Sequence, residues 1–113
     1  MSEPRRIQTY AEFWPFYLRE HRKAWTRRIH VLGTTIALFV VIHALAIGEP
    51  TRLWQPLVIG YGFAWLSHFF IEKNRPATFQ YPAWSFLSDF KMWFLFMTFR
   101  LDAELEKAGV KRA

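Results

Sequence analysis

The chain has 113 residues, the size of one domain, which excludes a repeat array and a large multi-layer enzyme. Hydrophobic residues make up 52% and aromatic residues 19%, which excludes a disordered chain, and the absence of cysteine excludes disulfide scaffolds and thiolate metal sites. A net charge of +6 and a mean hydropathy of 0.00 suggest a basic soluble protein that binds nucleic acid, an interpretation that depends on where the charges lie.

The first predicted element is an interfacial amphipathic helix over residues 9–24. Thr9 and Glu12 have the spacing of a capping box, which favours a helix start here. Pro15 is expected to kink this helix or to delay its start. The helix ends in basic residues that suit anionic headgroups, so membrane lipids are expected partners. The apolar side chains before that end are Phe13, Trp14, Phe16, Tyr17 and Leu18.

Two long uncharged runs follow, over residues 29–48 and 53–71. They contain twenty and nineteen residues, and a helix needs about 20 to cross the ~30 Å hydrocarbon core of a bilayer. The connector, 48–52, carries the Gly and Pro residues of a tight turn. A soluble bundle is the alternative, but a chain of this size can rarely enclose two helices that are apolar on every face. The predicted fold class is therefore an all-α integral membrane protein built on a two-helix transmembrane hairpin.

A third helix is predicted over residues 83–101, where Asp89, Lys91 and Arg100 interrupt the apolar sequence. This helix either lies partly inserted near the cytoplasm, which its aromatic residues favour, or crosses the membrane with Asp89 and Lys91 turned inward as a pair. The charged tail, 102–113, is expected to fray. Residues 1–113 are thus predicted to form a single membrane domain.

The basic residues predict the orientation of the hairpin. Only Arg52 lies in the turn between the two spans, whereas Lys73 and Arg75 follow the second span and seven basic residues precede the first. The positive-inside rule then puts the N-terminus and the 72–82 loop in the cytoplasm of a bacterial-type inner membrane. Because the positive charge flanks the spans, a nucleic-acid partner is not expected. The seven residues are Arg5, Arg6, Arg19, Arg22, Lys23, Arg27 and Arg28.

The histidines are predicted to lie at different depths in the membrane. His30 begins the first span and His68 lies near the end of the second, so antiparallel helices can bring them to the same level. Glu72 follows His68 by one helical turn on the same face. His43 lies thirteen residues beyond His30, about 20 Å along a helix, and cannot join them.

His21 can join this group only if the chain bends before the first span. A bend is predicted if the interfacial helix ends near Ala24 and Thr26 caps the next helix. The resulting set, His21, His30, His68 and Glu72, could supply the two-His-one-carboxylate or all-His ligation used by non-haem iron. The alternative is that histidines have collected by chance on basic interfacial helices.

Two blocks of sequence resemble a known family. They are YAEFWPFYLREH, followed by His30, and then GYGFAWLSHFFIEKNRPATF. Together they resemble the small membrane-protein family that includes the fungal 2-hydroxy-fatty-acid dioxygenase, over roughly Tyr10 to Leu101. The most specific match is the block Ser67-His68-x-x-x-Glu72-x-x-x-Pro76-Ala77, in which His68, Glu72 and Pro76 follow one another at intervals of four residues.

The resemblance implies an Fe(II)-dependent α-oxidation, in which dioxygen cleaves the C1–C2 bond of a 2-hydroxy fatty acid and leaves an acid one carbon shorter. It implies His21, His30 and His68 as iron ligands and Glu72 as a further ligand or a catalytic base. A fatty-acid-like substrate would keep its tail in the bilayer and its carboxylate at the interface, where Lys73, Asn74 and Arg75 are the predicted substrate contacts, unless they only bind headgroups. The alternative functions are a non-catalytic lipid-interacting or assembly protein and a haem-binding membrane protein.

Overall fold

The computed structural model describes residues 7–110, and every regular element in that range is helical. The all-α prediction is therefore confirmed. Short 3₁₀ turns, Pro50–Leu53 and Ala77–Phe79, connect some of the helices, and a π-helical turn, His68–Glu72, directly follows Ser67. The α-helices in chain order are α1 (Tyr10–Arg19), α2 (Ala24–Ala46), α3 (Trp54–Ser67), α4 (Pro82–Met97) and α5 (Leu101–Lys107).

Of the described helices, α2 alone is long and apolar enough to cross a membrane, which supports membrane association by length and composition. Only 28% of the most apolar 18-residue stretch of α2 is buried inside the protein, so most of this stretch faces outward. α3 has 14 residues and rises about 21 Å, less than the ~30 Å of a hydrocarbon core. The sequence predicted one span over 53–71, but this stretch is divided between a 3₁₀ turn, α3 and the π turn. The transmembrane hairpin therefore stays a prediction.

α2 and α3 nevertheless form a closely packed antiparallel pair. Gly33 of α2 is buried against Phe63 of α3, and a Cβ atom at residue 33 would overlap the Phe63 side chain. The two helices are joined through Gly48, whose positive φ of 70° suits glycine, and through the 3₁₀ turn Pro50–Leu53. This glycine turn and the close approach at Gly33 hold the α2–α3 pair together.

The main hydrophobic core lies between α1, α4 and α5. α1 begins after Thr9, whose Oγ1 accepts a hydrogen bond from the backbone N–H of Glu12 at 3.2 Å, and it continues through Pro15 to Arg19. Its aromatic face packs against α4 and against α5, the helix that follows α4. The buried members of this core are Phe13, Trp14, Tyr17, Leu18, Met92, Leu101, Leu105 and Val110.

The predicted frayed tail is wrong between residues 102 and 107, which belong to α5. Leu101 and Leu105 are four residues apart and share one face of the helix, which places both in the core. Trp14 donates from Nε1 to Glu104 at 3.0 Å, which joins α5 to α1. Burial of the two leucines and the hydrogen bond to Trp14 thus hold this segment in a helix despite the charged residues around it.

The chain bends between α1 and α2, but earlier than predicted. Lys23 is the N-cap of α2, and Thr26 lies buried inside the first turn, so the predicted cap at Thr26 is wrong. The bend is held by Arg27, whose Nη1 donates to the carbonyl groups of His21 at 2.7 Å and Arg22 at 2.9 Å. This buried guanidinium fixes the segment that carries His21.

Candidate metal centre

The bend gathers three of the four histidines into one buried cluster. His21 lies between α1 and α2, His30 lies in the second turn of α2, and His68 starts the π turn. The ring centroids are 4.4 Å apart for His21 and His68, 5.2 Å for His21 and His30, and 6.5 Å for His30 and His68. None of the three rings is more than 4% exposed, whereas His43 lies exposed near the far end of α2. The three histidines singled out from the sequence therefore meet.

The Nδ1 atoms of His21 and His68 both face oxygen acceptors. Nδ1 of His21 lies 2.7 Å from the carbonyl oxygen of Tyr17, which can only accept a hydrogen bond. Nδ1 of His68 lies 2.8 Å from Oδ1 of Asn74, and the same amide donates from Nδ2 to the carbonyl of Glu20 at 3.1 Å. Since that donation fixes the orientation of the amide, both imidazoles carry their proton on Nδ1.

With both protons on Nδ1, the Nε2 atoms of His21 and His68 present two lone pairs to each other across 3.0 Å. A shared proton would require one ring to become a buried imidazolium. Burial, with the neighbouring charges of His68 and His30, holds the pKa of His21 well below its usual value, so that form is opposed. A bound cation would instead satisfy both lone pairs.

The observed spacing suits such a cation. Two imidazole nitrogens that each bind one metal at about 2.1 Å, at the right angle of an octahedral site, stand about 3.0 Å apart. Hydrogen bonds from the remote nitrogens to oxygen acceptors are the usual support of metal-binding histidines. The donor chemistry of this pair therefore fits iron or another imidazole-binding metal.

His30 contacts a carboxylate that the sequence did not single out as a site residue. Its Nε2 lies 3.1 Å from Oδ1 of Asp89 on α4, which also accepts a 2.6 Å hydrogen bond from the Tyr17 hydroxyl. Burial and the charge of Asp89 raise the pKa of Tyr17 well above its usual value, so its hydroxyl stays a donor. On the other side of the ring, Nδ1 of His30 is buried with no hydrogen-bond partner in the structure. His30 thus offers a third imidazole lone pair.

The sequence feature that could have identified Asp89 as a site residue is its charge within an apolar helix, because a carboxylate in such a setting has a polar partner. The inward pairing with Lys91, which a third helix crossing the membrane would have required, is not found: Lys91 Nζ lies 4.2 Å from the ring centroid of Trp14, where it makes a cation–π contact. The partners of Asp89 come from α1 and α2, and nothing in its spacing from His30 or Tyr17 could indicate them.

The other predicted site residues lie around the cluster. Glu72 accepts a hydrogen bond at Oε2 from the backbone N–H of Lys23 at 2.6 Å, so this carboxylate joins the π turn to the start of α2. Asn74 orients His68. Lys73 and Arg75 are exposed, and Lys73 has a positive φ of 60° at the end of the π turn. Within residues 7–110, no group of three or more His, Asp or Glu side chains converges closely enough to hold a metal as it stands.

A cavity of about 340 Å³ reaches this cluster from the space between α2, α3 and α4. His30 and Asp89 line one end of it, and the rest of its wall is almost entirely apolar. The volume lies within the ~300–1,000 Å³ typical of small-molecule sites. The cavity gives an apolar ligand access to His30 and Asp89 at the edge of the cluster.

Within residues 7–110 the protein is all-helical, with one helix that could span a membrane and a buried cluster of three histidines. The family model of the 2-hydroxy-palmitic acid dioxygenase Mpo1-like proteins matches residues 7–101. The chain belongs to this family, which confirms the resemblance seen in the sequence. No curated protein and no solved structure matches it significantly.

Proposed function

We propose that the protein is a membrane-embedded, Fe(II)-dependent dioxygenase that shortens 2-hydroxy fatty acids by one carbon. The observation that carries this proposal is the pair of Nε2 lone pairs on His21 and His68, 3.0 Å apart in a buried site. The family name supports the substrate class, and the apolar cavity beside His30 supports an acyl ligand.

His21 and His68 would hold the iron, and His30 would be the third ligand once its ring turns its Nδ1 toward them. Such a turn would release the contact between His30 and Asp89, which would then be free to accept a proton or a substrate hydroxyl. Glu72 would have to give up its hydrogen bond from Lys23 to become a ligand, so we assign it to positioning His68. Lys73 and Arg75 remain the proposed contacts of the substrate carboxylate.

The reaction balances without an external reductant. A 2-hydroxy acid and one dioxygen give the acid one carbon shorter, carbon dioxide and one water. The alcohol carbon gives up three electrons and the carboxyl carbon gives up one, which together reduce dioxygen fully. Bound iron would supply the means of activating dioxygen, while the buried cluster keeps water away from the reacting centre.

Metal content tests the ligand set directly. The protein, purified in detergent and loaded with ferrous salt without oxygen, is expected to retain about one iron per chain, as in other oxygenases with a mononuclear site. His21→Ala and His68→Ala should lose most of that iron. His43→Ala is the matched control, because His43 is exposed and far from the cluster. Equal iron in all four proteins would contradict the proposed site.

Activity then tests the reaction. The iron-loaded protein is mixed with 2-hydroxy-palmitic acid and dioxygen, and the expected product is the acid one carbon shorter, with matching oxygen uptake. A fully loaded protein that makes no shorter acid would rule out the enzymatic proposal. A haem absorption band would favour the haem-binding alternative, and neither iron nor haem would favour a non-catalytic lipid-interacting or assembly protein.

A further inference from the structure

The cavity between α2, α3 and α4 is shaped like a cleft with two different ends. Its polar end is formed by His30 and Asp89, and Val41 and Leu53 lie at its far, apolar end. Val41 lies eleven residues beyond His30 on α2, which is a rise of about 16 Å. One leaflet of a bilayer has a hydrocarbon depth of about 15 Å, half of the full core. The cleft is therefore about as long as one membrane acyl chain.

The cleft is open toward the apolar surface of the helices. Leu57 of α3 and Phe90 of α4 line it, yet they are 50% and 38% exposed. An acyl chain could therefore enter sideways from the bilayer without crossing the polar interface. The small volume, about 340 Å³, suits one chain rather than a two-chain lipid.

A glycine keeps the middle of the cleft open. Gly60 of α3 lines it opposite Ala37, and a Cβ atom at residue 60 would lie 3.8 Å from the Ala37 Cβ. Alanine would thus fit, whereas a longer side chain would extend into the cleft. Ala37 lies seven residues beyond His30, so the obstruction would stand about 10 Å from the polar end.

We infer that this cleft binds the acyl chain of the substrate and that Gly60 and Val41 determine the longest chain accepted. The identity of the substrate rests on the proposed function. Both residues lie on the apolar wall, away from the histidine cluster, so they select chain length without taking part in the chemistry.

The first test compares Gly60→Leu with Gly62→Leu over a series of 2-hydroxy acids from octanoic to stearic. Gly62 lies on the same helix and has open space around it, which makes it the matched control. Gly60→Leu is expected to lower kcat/KM for the longest acids by about tenfold or more while the shortest acids react normally. Gly62→Leu should retain the wild-type profile. Identical profiles for the two variants would overturn the inference.

The second test places the obstruction farther along the cleft. Val41→Trp should affect only the longest acids, because it blocks the cleft about 6 Å beyond the Gly60 position, four residues along α2. Ile42→Trp is its control, since Ile42 is 62% exposed and does not line the cleft. Circular dichroism melting checks that each variant is folded. A Val41→Trp variant that excludes shorter acids than Gly60→Leu would contradict the assigned direction of the chain.

Photolabelling separates this inference from the proposed chemistry. Palmitic acid with a diazirine at its terminal carbon, which lacks the reactive hydroxyl, is added to the wild-type protein in nanodiscs and the crosslinks are mapped by mass spectrometry. Labels at Val41, Leu53 or Leu57 that excess 2-hydroxy-palmitic acid removes would support the cleft even if turnover were absent. Labels spread over the outer surface would overturn it. Labels in the cleft that 2-hydroxy-palmitic acid does not remove would indicate a structural lipid, which also overturns it.

Discussion

Asn74 connects three segments of the chain through one side-chain amide. Its Oδ1 accepts from His68 at the start of the π turn, and its Nδ2 donates to the carbonyl of Glu20 after α1. The amide therefore determines which nitrogen of His68 is protonated and holds the ring toward His21. This role is positioning, and it leaves Asn74 little capacity to bind a substrate carboxylate.

Replacing Asn74 separates positioning from substrate binding. Asn74→Ala should weaken iron binding by about 10–100-fold, the usual effect of removing a hydrogen-bond partner of a metal-binding histidine. At saturating iron, KM for the 2-hydroxy acid should stay near the wild-type value. The measurements are iron affinity by chelator competition and steady-state kinetics.

Arg75→Gln is the comparison, because Arg75 is exposed beside Asn74 and is a proposed carboxylate contact. It should raise KM and leave iron affinity unchanged. The positioning role of Asn74 is wrong if Asn74→Ala raises KM and retains its iron.

The sequence could predict that His21, His30 and His68 meet, because span boundaries and helix geometry determine their depth. It could not identify Asp89 as their partner, because α4 is held beside α2 by packing in the core and not by any local spacing. The role of Asn74 could not be predicted either. It depends on a hydrogen bond to the backbone carbonyl of Glu20, and every residue has such a carbonyl.

At the level of elements, the approach of α2 and α3 depends on Gly33. Small residues let two helices come close enough for backbone and side chains to interlock, a common arrangement in membranes. Phe63 fills the space that a side chain at residue 33 would need. Because His30 lies one turn before Gly33 and His68 lies at the end of α3, this contact also sets the distance across the cluster.

Replacing each of two glycines by alanine measures how much the contact between α2 and α3 at Gly33 limits the size of that residue, in terms of the stability of the protein. Gly62→Ala should leave stability unchanged or raise it by up to about 1 kcal/mol, since alanine favours helices and the site is open. Gly33→Ala should be less stable than that control by about 1–3 kcal/mol, the usual cost of overpacking. Unfolding of both variants in mixed micelles, followed by circular dichroism, gives the difference. Equal stability would show that α2 and α3 can separate without cost.

Some elements were predictable and others were not. The uncharged run of α2 is read directly from the sequence, and so is the capped start of α1 at Thr9. The second run gave no sign of its π turn, which lies where His68 and Glu72 contact the segment between α1 and α2. The spacing of Leu101 and Leu105 could have indicated α5, but the surrounding charges pointed to a frayed tail.

For the whole molecule, apolar side chains cover the outside of the α2–α3 pair. Phe39 and Ile42 are 68% and 62% exposed on α2, and Val58 and Phe70 are 61% and 72% exposed on or just after α3. Exposed apolar surface of this extent marks contact with a membrane or a partner. We propose that the pair crosses the membrane with its turn outside the cytoplasm, as the basic residues predict.

A topology reporter tests that orientation. Alkaline phosphatase, active only outside the cytoplasm, is inserted at residue 50 or fused after residue 113 in a bacterial host. The insertion is expected to be active and the fusion inactive, because α1 and α5 share one core and must lie on the same side. The reverse pattern would invert the proposed orientation, and activity at both positions would show that α4 crosses the membrane.

The histidine cluster also implies an order of events during biosynthesis. His21 and His68 are 47 residues apart, and at about 5–20 residues per second a ribosome needs several seconds to pass from one to the other. During that time His21 and His30 are already synthesised without His68, Asn74 or Asp89 to complete their surroundings. The centre can close only after the loop beyond α3 has returned to the end of α1. We therefore expect the proposed iron to bind only after this closure, once the chain as far as Asp89 has been made.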